Sequence, residues 1–173
     1  SYEYMMMVYE SFKPHDPDSD IIIQTPGMSE SERDDFLNRY RHTSTNSLVG
    51  FAVMGGVFGE GIDLVGDHLS GAVVVGVGLP GISLENELIK GYFTYTDNAG
   101  FEYAYQYPGI NRVLQAAGRV IRTENDRGVV LLIDQRYATY RYRSLLPIEW
   151  QPIRVKNQEQ FAETLQKFWS QEN

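Results

Sequence analysis

Gln115-Ala116-Ala117-Gly118-Arg119-Val120-Ile121-Arg122, continued by Thr123-Glu124-Asn125-Asp126-Arg127-Gly128 and the apolar run Val129-Val130-Leu131-Leu132-Ile133, decides how this chain is read. Pro108 suits the first turn of a helix, and at 100° per residue Ile110, Val113, Leu114, Ala117 and Ile121 then share a sector of about 100°. That sector predicts the core face of a helix over 108–122. Gln115, Gly118, Arg119 and Arg122 follow i, i+3, i+4, i+7 spacing on a separate flank. Two guanidinium forks and an amide are therefore expected to project together, with Gly118 leaving room for a close approach. Such forks suit an anion, phosphate above all. A salt-bridged helix face would need acidic neighbours a turn away, and residues 103–123 contain none.

Outward from this helix, strand and helix signals alternate, which implies a parallel sheet. Ile21-Ile22-Ile23-Gln24-Thr25 is a short β-branched run stopped by Pro26-Gly27, and Ser29 with Glu32 forms a capping box for a helix through about Tyr40. A run from Leu48 to Met54 breaks into the glycine-rich Gly55-Gly56-Val57-Phe58-Gly59-Glu60-Gly61-Ile62-Asp63. Ala72–Val77 reads as a buried strand, a helix starts near Ser83, and 129–133 is a further strand. Met5-Met6-Met7-Val8 has a helical pattern, and Phe161, Leu165, Phe168 and Trp169 form the stripe of a C-terminal helix. The aromatic stretch 92–107 gives no clear assignment; its tyrosines suit packing on a sheet or stacking on bases.

With 173 residues, 42% of them hydrophobic, the chain has enough apolar material for one ordinary core, which excludes disorder. It has no cysteine, so it carries no disulfide, thiolate nucleophile or cysteine-ligated zinc or iron–sulfur centre. There is no apolar run of about 18 residues to span a bilayer, and the first ten residues have no signal-peptide pattern. The net charge of −8 opposes a partner held by global attraction to phosphate. Its distribution is uneven: residues 1–35 hold nine acids and two bases, whereas Arg112–Arg143 contains seven of the eleven arginines against Glu124, Asp126 and Asp134.

The 115–122 segment with its trailing Asp126-Arg127-Gly128, strand and Asp134-Gln135-Arg136 resembles motif VI of the DinG/XPD group of superfamily 2 DNA helicases. Gly59-Glu60-Gly61-Ile62-Asp63 resembles that group's motif V, and Ser1-Tyr2 resembles the tail of its motif IV strand. The resemblance implies an α/β, RecA-like (P-loop NTPase-type) three-layer domain with a largely parallel sheet and a truncated first strand. Residues 1–173 would be the second RecA-like motor domain, a fragment of a larger protein. The partner domain would be an N-terminal RecA-like domain supplying the phosphate loop and the magnesium-binding acids, since no Gly-x-x-x-x-Gly-Lys-Ser/Thr occurs here. ATP with Mg²⁺ would bind between the two. Arg119, Arg122 and Gln115 are the implied catalytic residues; Glu60, Gly61, Asp63 and Gly118 are the implied nucleotide-cleft residues; no metal ligand is implied. The further implications are single-stranded DNA as partner, 5′ to 3′ translocation and a place in the bacterial cytoplasm or nucleoid; whether the missing part holds an iron–sulfur cluster is left open, and this segment holds none. Gly59 and Gly55 stand where relatives carry hydroxyl or basic side chains, so those contacts are not transferred.

Two other readings stay open. A non-catalytic nucleotide- or partner-binding α/β module would keep this fold without a motor. Gly76-Val77-Gly78-Leu79-Pro80-Gly81 formally matches a dinucleotide fingerprint, although Pro80 removes an amide from its loop and a strand end followed by a turn explains it as well. His15, His42 and His68 stand alone, and Asp16, Asp18 and Asp20 lack the glycine and terminal glutamate of a calcium loop.

Overall fold

The computed structural model describes residues 1–41, 46–54, 69–121 and 126–170. Helix α1 (Tyr2–Phe12) is capped by Ser1, whose side chain accepts from the Tyr4 amide. Ser1 and Tyr2, compared above to the tail of a strand, are thus the cap and first residue of a helix. Strand β1 (Asp20–Ile23) leads through the Pro26-Gly27 turn into α2 (Glu30–Arg41). The capping box forms as the sequence implies: Ser29 donates from both its N–H and its hydroxyl to Glu32 Oε2 at 2.7 Å, and the Glu32 amide donates back to Ser29 Oγ. These bonds hold the Glu32 carboxyl below its ordinary pKa.

Strand β2 (Leu48–Phe51) pairs parallel to β1, Ile22 opposite Gly50 and Ile23 opposite Phe51. Gly50 leaves room there for the hydroxyl of Tyr40 from α2, which a side chain would displace. Burial pushes that hydroxyl's pKa up to about 12. On its other side Phe51 meets the ring edges of Tyr9 and Phe12 from α1, each at 5.6 Å. Gln24, buried just beyond β1, accepts from the Val53 amide at 2.8 Å and so aims the chain that leaves β2.

Strand β3 (Gly71–Val75) pairs parallel to β4 (Val129–Ile133) in continuous register, from Gly71 opposite Val129 to Val75 opposite Ile133. All strand pairs among the described residues are parallel, as the alternation of elements requires.

After β3 the chain turns through Gly76 and Gly78, both at positive φ, and enters α3 (Leu84–Asp97) at the N-cap Ser83. Asn98, left-handed at φ 53°, ends α3. The next helix is not the simple one that Pro108 suggested. After one α-helical step at Gly100 and Phe101 it widens into a π-helical segment, Glu102–Gln106, which runs into α4 (Tyr107–Ala117). Proline inside a helix has no N–H to give and its ring clashes with the carbonyl four residues back; widening the ladder to i→i+5 beside it, as Tyr107 N–H does to Glu102 O, keeps the helix continuous. The aromatic run packs between these helices: Phe93 stacks on Tyr103 with centroids 4.0 Å apart, and Tyr105 donates to Glu87 at 2.6 Å.

Beyond β4 come a short 3₁₀ turn, α5 (Tyr140–Arg143) and α6 (Gln158–Ser170). Val77, Ile110 and Tyr142 form the buried centre of this half, with Leu79, Leu114, Tyr137 and Leu145 around them. It is built where α4 crosses the end of β3. The crossing needs two glycines: a Cβ on Gly78 would lie 2.5 Å from Gly109 O, and one on Gly109 would lie 2.6 Å from Val77 O.

Candidate functional site

Helix α4 stops at Ala117, five residues short of the sequence expectation, with Gly118 as its C-cap. The last turn tightens: Gly118 N–H donates to Leu114 O, but Arg119 N–H reaches back only to Ala116 O and Val120 N–H to Ala117 O. At three residues per turn Val120 falls in line with Ala117 and is buried. Ile121, expected on the core face, is instead half exposed at 50%.

Gln115 and Gly118 lie exposed on the end of α4, and Arg119 follows them half-buried in the tight turn, its Nε enclosed. The structure therefore brings Gln115, Gly118 and Arg119 to one helix end, although not as a straight row on one helix flank. Arg122, Glu60, Gly61 and Asp63 lie outside the described residues, as do His42 and His68. A helix C-terminus carries partial negative charge, so an anion held at this end must be held by cationic side chains rather than by backbone amides.

The remaining arginines of the basic stretch are occupied. Arg112 donates to Gly78 O at 3.4 Å, and Arg127 donates to Phe168 O at 2.6 Å. Arg136 makes a bidentate pair with Asp134, Nε to Oδ1 at 2.9 Å and an Nη to Oδ2 at 2.7 Å, which lowers the aspartate pKa and raises that of the guanidinium. Arg141 donates from Nε to Gln106 Oε1 at 2.9 Å, pairs with Glu102 and lies over the Phe101 ring. Most of what composition presented as a basic patch is thus internal bracing. The exception on α5 is Arg143, which is exposed.

Gly128 explains the trailing part of the motif. A Cβ there would collide with Val120 Cγ1 and come within 3.1 Å of Ser70 O. The chain leaving α4 and the chain entering β4 therefore meet at Val120 and Gly128. Tyr137 ties the far side of the sheet by donating to Gly76 O at 2.8 Å, and burial raises its pKa. The Gly76–Gly81 loop is filled by α4 at Gly109, so packing accounts for Gly78.

Sequence reasoning missed the π-helical segment with its buried Gln106, and the anchoring of Arg127 on α6. Gln106 is 1% exposed and uses both ends of its amide on Arg141, donating to the Arg141 carbonyl at 2.9 Å. A lone glutamine in an aromatic run gives no periodic signal. No group of three or more His, Cys, Asp or Glu is placed to hold a metal among the described residues, and no described helix is long and apolar enough to cross a membrane.

Parallel strand pairs with helices crossing their ends make this an α/β domain, consistent with a RecA-like fold. A family model described as helicase C-terminal domain matches residues 1–153, and the chain belongs to that family, in its DinG/XPD-like branch. Among curated relatives, the ATP-dependent DNA helicase CHL1 of Kluyveromyces lactis is 30% identical over 163 residues, covering 83% of this chain and 19% of the relative. The ATP-dependent DNA helicase chl-1 of Caenorhabditis elegans is 36% identical over 137 residues, 77% of this chain and 16% of its own length. The general transcription and DNA repair factor IIH helicase subunit XPD/RAD3 of Saccharomyces cerevisiae is 30% identical over 132 residues, 73% and 16% respectively. A solved structure named XPD helicase superposes with a TM-score of 0.57 at 19% identity, covering 83% of this chain and 29% of that one, which supports the fold. The chain thus spans about a fifth or less of the length of these curated relatives.

Proposed function

We propose that residues 1–173 are the second motor domain of an ATP-dependent DNA helicase, working against an N-terminal RecA-like domain on a longer chain. ATP with Mg²⁺ is held mainly by that first domain. Arg119 and Arg122 face its phosphates, Gln115 helps orient the nucleotide, and Gly118 gives the close approach. Glu60, Gly61 and Asp63 lie at the same cleft. The guanidinium fork of Arg119 at the end of α4 fits this role: it supplies positive charge where the helix dipole offers none, and a planar fork can bridge phosphate oxygens. Closure of the cleft then steps single-stranded DNA, 5′ to 3′, across both domains. The protein works in the cytoplasm or nucleoid, and any iron–sulfur cluster lies outside this cysteine-free segment.

Membership of the helicase C-terminal domain family over residues 1–153 is the observation that carries the reading. Its test is hydrolysis by the full-length protein. Arg119→Lys and Arg122→Lys should each retain fold and ATP binding while lowering turnover, by roughly 10³-fold for the one that acts as the finger. The isolated 173-residue chain should hydrolyse no ATP. Turnover by that chain in proportion to its concentration refutes the two-domain assignment, undiminished hydrolysis in both lysine variants removes the finger role from these arginines, and no hydrolysis by the full-length parent favours a module that kept the fold without the motor.

A further inference from the structure

Helix α6, Gln158–Ser170, lies beyond the residues matched by the family model, yet a residue of the motif reaches it. Arg127 donates to Phe168 O at 2.6 Å, and its guanidinium lies 5.1 Å from the Phe168 ring centroid and 5.6 Å from that of Trp169. Those two rings meet edge to face, 4.9 Å apart, so they form one corner that receives the cation. The acceptor is a carbonyl in the last turn of α6, where unsatisfied carbonyls and the helix dipole both favour a cation. Three independent interactions therefore fix one side chain, at a separation of 41 residues.

The consequence lies at the other end of the contact. Arg127 precedes Gly128, and Gly128 fits against Val120 so closely that no side chain is tolerated between them. Val120 is buried directly after Arg119. A continuous mechanical path thus runs from α6 through Arg127, Gly128 and Val120 to Arg119. We propose that Arg127 is a positioning residue: clamped on the Phe168–Trp169 corner, it holds the segment after α4 in the place from which Arg119 works, and α6 is part of the motor. This rests on the functional reading above. It separates the arginines of the motif by task, Arg127 bracing the protein while Arg119 addresses the nucleotide.

The test uses the full-length protein, with kcat and KM for ATP, DNA binding and thermal stability measured in parallel. Arg127→Gln removes the cation, and a Phe168→Leu, Trp169→Leu pair removes the corner while leaving apolar bulk; Arg154→Gln, at an exposed position before α6, is the control. Both interventions should lower kcat at least tenfold, within the roughly 10²-fold that small misplacement of a catalytic group costs, with KM for ATP and DNA affinity within twofold. Combining them should lower kcat no further than the stronger one alone, because they break one clamp. A kcat within twofold of the parent overturns the proposal. So does a loss that tracks the unfolded fraction, which marks a merely structural contact, and so does a raised KM with kcat retained, which makes Arg127 a nucleotide ligand. Arg119→Lys in the same series separates the two failures. If it keeps full turnover, the site reading itself falls; if it abolishes turnover while Arg127→Gln does not, only the clamp falls.

Discussion

Replacing Arg141 with alanine should destabilise this domain far more than replacing Arg143 two residues on, although both arginines are exposed on the same short helix. The difference lies in Gln106. Its amide is 1% exposed, with Oε1 accepting from Arg141 Nε and Nε2 donating to the Arg141 carbonyl. Arg141→Ala retains the carbonyl but leaves Oε1 buried without its donor, which costs about 1–3 kcal/mol. Loss of the guanidinium from the Phe101 face, at 5.2 Å, adds roughly 0.5–1 kcal/mol. The pair with Glu102 adds little, about 0–1 kcal/mol, because the Arg141 side chain is 53% exposed and water screens it. The expected loss is about 1.5–5 kcal/mol, against at most about 0.5 kcal/mol for Arg143→Ala.

Urea unfolding of the 173-residue chain followed by far-ultraviolet circular dichroism would measure this, and a double-mutant cycle would test the cause. Gln106→Leu removes the buried amide altogether, and the arginine it leaves behind can turn to water. The double variant Gln106→Leu, Arg141→Ala should therefore be more stable than the two single losses predict, by at least about 1 kcal/mol. Strict additivity, or an Arg141→Ala loss no larger than that of Arg143→Ala, would refute the claim that Arg141 is there to satisfy Gln106.

Other perturbations read other parts of the fold. Gly128→Ala should cost about 1–3 kcal/mol by forcing Val120 and Ser70 apart, and a thermal midpoint equal to the parent's would contradict the close approach. Ser29→Ala should cost about 1 kcal/mol by opening the cap of α2. Because the Glu32 pKa is depressed in the folded state, the parent should lose this part of its stability as pH falls through the carboxylate range, and unfolding at pH 7 and pH 3 should show the Ser29→Ala difference shrinking. Tyr40 has the opposite sign: with its folded pKa raised to about 12, the neutral form is favoured, and stability declines as pH rises from about 10, by roughly 2–3 kcal/mol at full effect. Tyr40→Phe should flatten that alkaline decline, and an unchanged slope between pH 9 and 11.5 would count against the burial of its hydroxyl.

The legibility of the fold tracked how local its causes are. The capping box of α2 and the Ser83 cap of α3 depend on residues within one turn, and both form. Strand β4 spans the very residues, 129–133, that its apolar run marked. Helix α4 was legible in its middle, where Ile110, Val113 and Ala117 are buried as their spacing implies. Its ends were not. Pro108 reads as a helix start because a first-turn proline sacrifices nothing, but it is equally compatible with a helix that widens around it, as the π-helical segment before it does. At the other end the tight turn puts Val120 rather than Ile121 into the core, a choice made by contact with Gly128 eight residues later.

The same distinction governs the site. A count of arginines cannot tell a guanidinium that waits for phosphate from one that braces a fold, because the partners that decide it are carbonyls and amides far away in sequence: Gly78 for Arg112, Phe168 for Arg127, Gln106 for Arg141. Arg136, by contrast, has its partner within sight, two residues back at Asp134. What helical spacing could show was that Gln115, Gly118 and Arg119 converge on one end of α4, and the structure keeps them there while bending Arg119 into the turn. The braces then have a physical purpose. The dipole favours a cation at this helix end but does not fix where a guanidinium points, so its geometry must be imposed from outside. Gly128 against Val120 and Arg127 on α6 impose it from one side, and the Gly78–Gly109 crossing fixes the root of α4 from the other.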